Sequence, residues 1–241
     1  VAAMEPNESV YSVNVAKPGF INFTLNPSWI AKQVEIILAT GSAFGNCAMG
    51  SGHRVQIEFV SVNPNGPIHV GHARGAVFGS ALANVLRAAG YQVEREYYIN
   101  DGGNQMDLFY KSLHARYLQA LDLEAELPED GYRGDYLVDF AKEIAQDEGN
   151  RFLSMPKAEA IAALGDTGLR KMVDLIREDL RDLRVEYDVW FSEKSLFLNG
   201  VFDEVYQLLK DSGHLVEREG AVWFRSPDLG NQEDKVFIRS N

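Results

Sequence analysis

The 241 residues predict an α/β protein with a parallel sheet, preceded by a small α+β module. Two observations carry the fold class. The strand-like run at residues 55–60 is followed by a long stretch of helical periodicity and then by a second strand-like run at residues 92–99. A strand–helix–strand unit of that length implies parallel pairing through a right-handed crossover. A third observation sets the module apart. Residues 10–25 alternate apolar and polar side chains upstream of a segment rich in Gly and Ser, GSAFGNCAMGSG at 41–52.

In order, Val10, Ser12, Val13, Val15, Phe20, Ile21 and Phe23 read as strands turned at Pro18-Gly19. Asn26-Pro27-Ser28 opens a helix to about Thr40, with Pro27 in its first turn. The main unit begins at Arg54. Its helix runs from His69 to Ala89 and ends at Gly90, which suits a C-cap. Val70, Ala73, Val77, Ala81 and Val85 share a face at helical spacing, and the many small residues suit close approach to a sheet. A polar loop, Asn100-Asp101-Gly102-Gly103-Asn104, follows the second strand, where open α/β sheets place ligands. A helix to about Leu121, a charged helical segment at 122–184, a third strand at 185–191 and a helix at 200–212 come next. A hairpin turned at Glu219-Gly220 and a last strand at 235–239 complete the chain. The expected domains are 1–42, a linker at 43–53, and 54–241 with a helical insertion at about 122–184.

The composition is that of an ordinary globular protein, 46% hydrophobic and 24% charged. A formal charge of −12 argues against a general polyanion-binding surface, though not against basic residues gathered in one groove. No run of about 18 apolar residues suggests a membrane span, and the first residues do not resemble a signal peptide. The single Cys47 cannot form an internal disulfide and fits a reducing cytoplasm. The chain opens without Met and stops within a strand pattern, so it reads as a piece of a longer protein.

The chemistry concentrates in Val62-Asn63-Pro64-Asn65-Gly66-Pro67-Ile68-His69-Val70-Gly71-His72. A helix start exposes unpartnered amides with partial positive charge, which attract phosphate. His69 and His72 add donors, and Gly71 lets a flat base or ribose lie close to the backbone. This points to ATP. Zinc is the rival for a histidine pair, but the further ligands it needs are not close in sequence. Glu58 lies in a strand expected to be buried on both faces, so its carboxylate needs a counter-charge. A cationic ligand would supply one, as would Arg74 or Arg95. Asn63 either orients a polar ligand or caps the turn. Asn100, Asp101, Asn104 and Gln105 either line the site or form only a turn. The segment at 177–182 reads as a solvated helix face, and Trp190, Phe191 and Phe197 as core.

The segment VNPNGPIHVGH resembles the first signature of class I aminoacyl-tRNA synthetases. The surrounding IEFVSVNPNGPIHVGHARGAVFGSALANVLRAAGYQVEREYYINDGGNQM is similar to the arginyl-tRNA synthetase family in particular, as are KPGFINF, GYRGDYL and YDVWFSE. The resemblance implies a Rossmann-like catalytic domain preceded by the end of a small α+β N-terminal domain. It implies an arginine–tRNA ligase that forms arginyl-adenylate from arginine and ATP and passes the arginyl group to tRNA(Arg). Catalysis would fall to His69 and His72; ATP would meet Pro67, His69, Gly71 and His72; arginine would meet Glu58, Asn63 and His69. Mg²⁺ would arrive with ATP, with no metal site on the protein and no tightly bound cofactor. The full-length protein is expected to be a cytoplasmic monomer with no membrane partner. HxGH nucleotidylyltransferases share the core motif, and a non-catalytic paralogue or nucleotide-binding module would share the fold. The second class I signature, a KMSKS-like loop, does not occur in these residues. The 241-residue chain alone is therefore expected to give weak or no arginine-dependent ATP–pyrophosphate exchange, even with cognate tRNA; robust exchange would contradict this.

Overall fold

The computed structural model describes residues 7–239, which divide into two compact units. The first runs up to Val55 and includes Asn84–Gln92. Strands β1 (Val10–Ala16) and β2 (Phe20–Leu25) pair antiparallel, with Val13 opposite Phe23. Helix α1 (Pro27–Thr40) starts where the Asn26 side chain accepts from the Ser28 N–H at 3.1 Å and Pro27 supplies a preset φ. No residue of α1 is buried and β2 is exposed throughout, so this unit has no apolar core of its own. The Gly/Ser-rich segment is not a loose tether. It forms a 3₁₀ turn at Gly41–Ala43, and the Cys47 and Gly50 amides donate to the carbonyls of Ala88 and Ala89. Gly90 is required there: φ is +91°, and a Cβ would stand 2.8 Å from the Cys47 carbonyl.

The second unit holds the parallel sheet. Its strands are β3 (Arg54–Glu58), β4 (Gln92–Ile99) and β5 (Val189–Ser192), in the order β3–β4–β5 with β4 and β5 parallel. Helix α2 (Val70–Ala88) connects β3 to β4. After β4 come α3 (Gly103–Ala120), α4 (Asp135–Glu148) and α5 (Lys157–Asp182), and after β5 come α6 (Lys194–Leu198) and α7 (Val201–Asp211). Strands β6 (Leu215–Arg218), β7 (Ala221–Phe224) and β8 (Lys235–Ile238) form a separate antiparallel sheet. The β6–β7 turn has positive φ at Glu219 (53°) and Gly220 (76°), the type I′ geometry that matches strand twist.

The charged 122–184 segment supplies much of the core. Leu137, Phe140, Ala141 and Ile144 of α4 recur at one helical face, as do Leu164, Met172, Ile176 and Leu180 of α5. They close on Met106, Phe109, Leu113 and Tyr117 of α3 and on Tyr97 and Ile99 of β4. Their charged neighbours face solvent, as amphipathic helices require.

Three expectations are corrected. The valine face of α2 is exposed (Val70 88%, Val77 55%, Val85 65%), and the buried positions are Ala76, Gly79 and Ala83. Phe59 takes the space: a Cβ on Gly79 would lie 2.3 Å from its ring. The third strand begins at Val189, later than expected. Arg184 has φ of +57°, Val185 is buried beneath the α5 terminus, and Asp188 turns its carboxylate onto Arg95. A short helix, α6, precedes α7. Among the described residues no helix is long and apolar enough to cross a membrane.

The contrast between two α2 glycines gives a test. Gly75 faces open space, so Gly75→Ala is expected to stabilise the chain by about 0.5–1 kcal/mol. Gly79→Ala is expected to cost about 1–3 kcal/mol by overpacking, less the Ala helix advantage of about 1 kcal/mol. Urea unfolding of both variants checks this; equal effects would contradict the packing assigned to Phe59.

Candidate active site

The chain leaves β3 through a kinked segment. Val60 and Ser61 have φ of 67° and 44°, a left-handed conformation rarely adopted by β-branched residues. Three side-chain hydrogen bonds tie the kink to β4 and to the segment before β5. The Tyr187 hydroxyl donates to the Phe59 carbonyl (3.1 Å) and the Tyr97 hydroxyl to the Val62 carbonyl (3.2 Å). The Tyr98 amide donates to Ser61 Oγ (3.0 Å). Phe59, Tyr97, Tyr187 and Trp190 stack around it, with Tyr97 and Trp190 centroids 4.5 Å apart and those of Phe59 and Tyr187 4.6 Å apart. Burial holds the Tyr97 and Tyr187 phenols well above their ordinary range, so both stay protonated donors.

This kink delivers the turn that starts α2. Asn65 and Pro64 to Pro67 lead into His69, whose carbonyl accepts from the amides of His72 (2.8 Å) and Ala73 (3.1 Å). The two imidazoles stack, with centroids 3.6 Å apart at 25°. Each also accepts a backbone hydrogen bond on Nδ1: the His69 amide donates to His72 Nδ1 at 3.3 Å, and the Gly71 amide to His69 Nδ1 at 3.1 Å. A nitrogen that accepts is unprotonated in a neutral ring, so the proton sits on Nε2. Both histidines therefore offer an Nε2–H. Burial and the neighbouring His69 charge lower the His72 pKa from 6.5, which keeps that ring a neutral donor at pH 7. Gly71 is required by the His69 ring itself: a Cβ there would lie 2.8 Å from His69 Cε1.

Two cavities open beside this turn. One, of about 500 Å³, is lined by Ser61, Asn63, Pro67, His69, His72 and Gln105, among others. The other, of about 810 Å³, lies at the carboxyl end of the sheet and is lined by Asn63, Asn100, Gln105, Glu193, Lys194 and Phe197, with further loop residues. Asn63 and Gln105 belong to both. The floor of the larger cavity is tied by Asp101, buried to 9% exposure, which accepts from Ser192 Oγ and from the Lys194 amide at 2.8 Å.

Pro67, His69, His72 and Asn63 thus come together. Glu58 and Gly71 line neither cavity. Glu58 is the last residue of β3 and is exposed rather than buried on both faces, because β3 alternates exposed and half-buried positions. Its carboxylate has no need of an internal partner. Arg95 serves Asp188 through Nε (3.2 Å) and a terminal nitrogen (3.1 Å) instead. The Tyr98 phenol is held above its ordinary range by burial first, and then by the negative charges of Glu193, Asp101 and Glu58. Phe197, read as core, is 55% exposed and lines the larger cavity. Glu193, Lys194, Tyr132 and Tyr136 escaped the sequence reading. The i, i+4 tyrosines of GYRGDYL were the available signal. Among the described residues no cluster of three or more His, Cys, Asp or Glu side chains could hold a metal ion.

The family model described as tRNA synthetases class I (R), catalytic domain, matches residues 33–240. The chain belongs to the class I arginyl-tRNA synthetase family. It is 48% identical over 238 residues to an arginine–tRNA ligase of Dehalococcoides mccartyi, covering 99% of this chain and 43% of that protein. It is 45% identical over 233 residues to the arginine–tRNA ligase of Bacillus subtilis, covering 97% of this chain and 42% of that one. A solved structure described as an arginyl-tRNA synthetase from Campylobacter jejuni superposes with a TM-score of 0.77 at 34% identity, covering 90% of this chain and 47% of that chain. The chain thus spans less than half the length of the curated relatives it matches.

The tautomer assignment can be read directly. Long-range ¹H–¹⁵N spectra are expected to show the Nε2–H form of both His69 and His72 at pH 7, with His72 titrating below 6.5. An Nδ1–H form at either ring, or a His72 midpoint above 6.5, would contradict it.

Proposed function

We propose that the chain is the ATP-binding part of an arginine–tRNA ligase. The observation that carries this reading is the pair of backbone-locked imidazoles at the start of α2, both lining one cavity. In the proposed reaction the arginine carboxylate attacks the α-phosphorus of ATP. The bond to the bridging oxygen breaks and pyrophosphate leaves, giving arginyl-adenylate. A ribose hydroxyl at the tRNA 3′ end then attacks the arginyl carbonyl, and AMP leaves.

His69 and His72 donate Nε2–H to phosphate oxygens as charge builds on them, and the positive end of the α2 dipole adds to that field. Neutral donors fixed by the backbone need no reorganisation during the step. Pro67 and Gly71 shape the approach of the nucleoside. Asn63 contacts the arginine substrate, with His69 between arginine and ATP. Glu58, exposed at the end of β3, offers its carboxylate to the guanidinium. Magnesium would enter with ATP, bound by phosphate oxygens and water. The full-length protein acts as a cytoplasmic monomer, and exposed Cys47 suits a reducing compartment.

The test is arginine-dependent ATP–pyrophosphate exchange by the full-length protein with cognate tRNA. His69→Ala and His72→Ala are each expected to lower the exchange kcat by about 10-fold or more. Glu58→Gln is expected to raise the KM for arginine while leaving that for ATP within about two-fold. Exchange without arginine, or an unchanged kcat in both histidine variants, would reject the reading in favour of a different nucleotidylyltransferase or a non-catalytic relative.

A further inference from the structure

Of the two side chains that line both cavities, Gln105 carries an unusual load. Gln105, in the first turn of α3, accepts on Oε1 from Nδ2 of Asn63 and from Nδ2 of Asn65 (3.2 Å). A carboxamide oxygen has two lone pairs, and both are used. The second proton of Asn65 Nδ2 goes to the Tyr132 hydroxyl (2.8 Å), and the Asn65 carbonyl accepts from the Tyr136 hydroxyl. Burial pushes the Tyr136 phenol up to about 12, so it remains a donor. The Asn-Pro-Asn turn is thereby pinned from α3, from the loop before α4 and from α4 itself.

The consequence concerns Asn63. An asparagine amide can face either way, and rotation by half a turn exchanges donor for acceptor. With one N–H of its NH₂ donated to Gln105, the planar amide turns Oδ1 away from Gln105. We propose that Gln105 is a positioning residue that fixes Asn63 as an acceptor, and so selects a substrate group that donates hydrogen bonds, a cationic nitrogen of arginine, over the acceptor-only oxygens of phosphate. This rests on the function proposed above. An Asn63 rotated by half a turn would instead present its NH₂ there and attract phosphate oxygens into the same space, so Gln105 separates the amino-acid subsite from the nucleotide subsite.

Two variants of the full-length protein test this. Gln105→Leu removes the acceptor at similar length; Gln105→Glu keeps an acceptor for both asparagines. Gln105→Leu is expected to raise the KM for arginine about 10-fold, a loss of about 1.4 kcal/mol, with the KM for ATP within about two-fold. Gln105→Glu is expected to restore the arginine KM to within about three-fold of the parent. In an Asn63→Ala background Gln105→Leu should add less than about two-fold, since its effect runs through Asn63. Equal losses for arginine and ATP, a Gln105→Glu variant as poor as Gln105→Leu, or additive effects would overturn the proposal. The Asn63 side-chain ¹H–¹⁵N signals of the 241-residue chain read the geometry without any activity. They should shift in Gln105→Leu and persist in Gln105→Glu; no shift in Gln105→Leu would overturn the positioning role. Absence of arginine-dependent exchange in the parent protein would reject the enzymatic reading alone, leaving those signals to decide the role of Gln105.

Discussion

The kink at Phe59 to Val62 is the constraint on which the rest of the site depends. A strand that continued straight would carry the next residues past the sheet and give the histidines no fixed place. Two non-glycine residues with positive φ cost about 1–3 kcal/mol each. The tyrosine hydroxyls on Phe59 and Val62 and the Tyr98 amide on Ser61 each return about 0.5–1.5 kcal/mol. Aromatic stacking of Tyr97 on Trp190 and of Phe59 on Tyr187 adds a comparable amount. The two sides are of the same order, so the kink persists only while the aromatic cluster is intact. Strain at the candidate site is here balanced by the packing of β4 and β5, and through Tyr97 by the core of α3 and α5.

The chemistry inherits that rigidity. Because the turn is held, the His69 and Gly71 amides meet the imidazole Nδ1 atoms and set their tautomers, and the rings stack. Gly71 and Gly79 follow from the same geometry. One makes room for the His69 ring and the other for the Phe59 ring, so each answers to an aromatic neighbour on the protein. Family membership covers the fold around this turn, and the relatives extend well beyond the length of this chain.

Much of the fold was legible in the sequence. Strand β4 was placed residue for residue, and the Glu219-Gly220 turn was readable because type I′ geometry demands residues that tolerate positive φ. The histidine pair was legible from the turn and helix start around it. What failed did so for tertiary reasons. The valine stripe of α2 has the spacing of a core face, but Phe59 selects the small-residue face because only glycine and alanine let its ring in. The strand at Val185 was over-extended because β-rich composition does not reveal that Asp188 is held by Arg95. Glu58 was misjudged because period-two alternation in so short a strand did not register against an expectation of two-sided burial. Gln105, Tyr132 and Tyr136 converge from separate elements, a juxtaposition that sequence spacing does not encode.

The central claim is that the aromatic-held kink, and not the HxGH segment alone, sets the imidazole pair. The imidazole ¹⁵N spectrum of a Tyr97→Phe/Tyr187→Phe double variant tests it most directly, since both rings stay and only the hydroxyl donors to the kink are lost. The account predicts that His69 and His72 then populate both tautomers in a chain that remains folded. A folded variant that keeps a single Nε2–H form at both rings would contradict it.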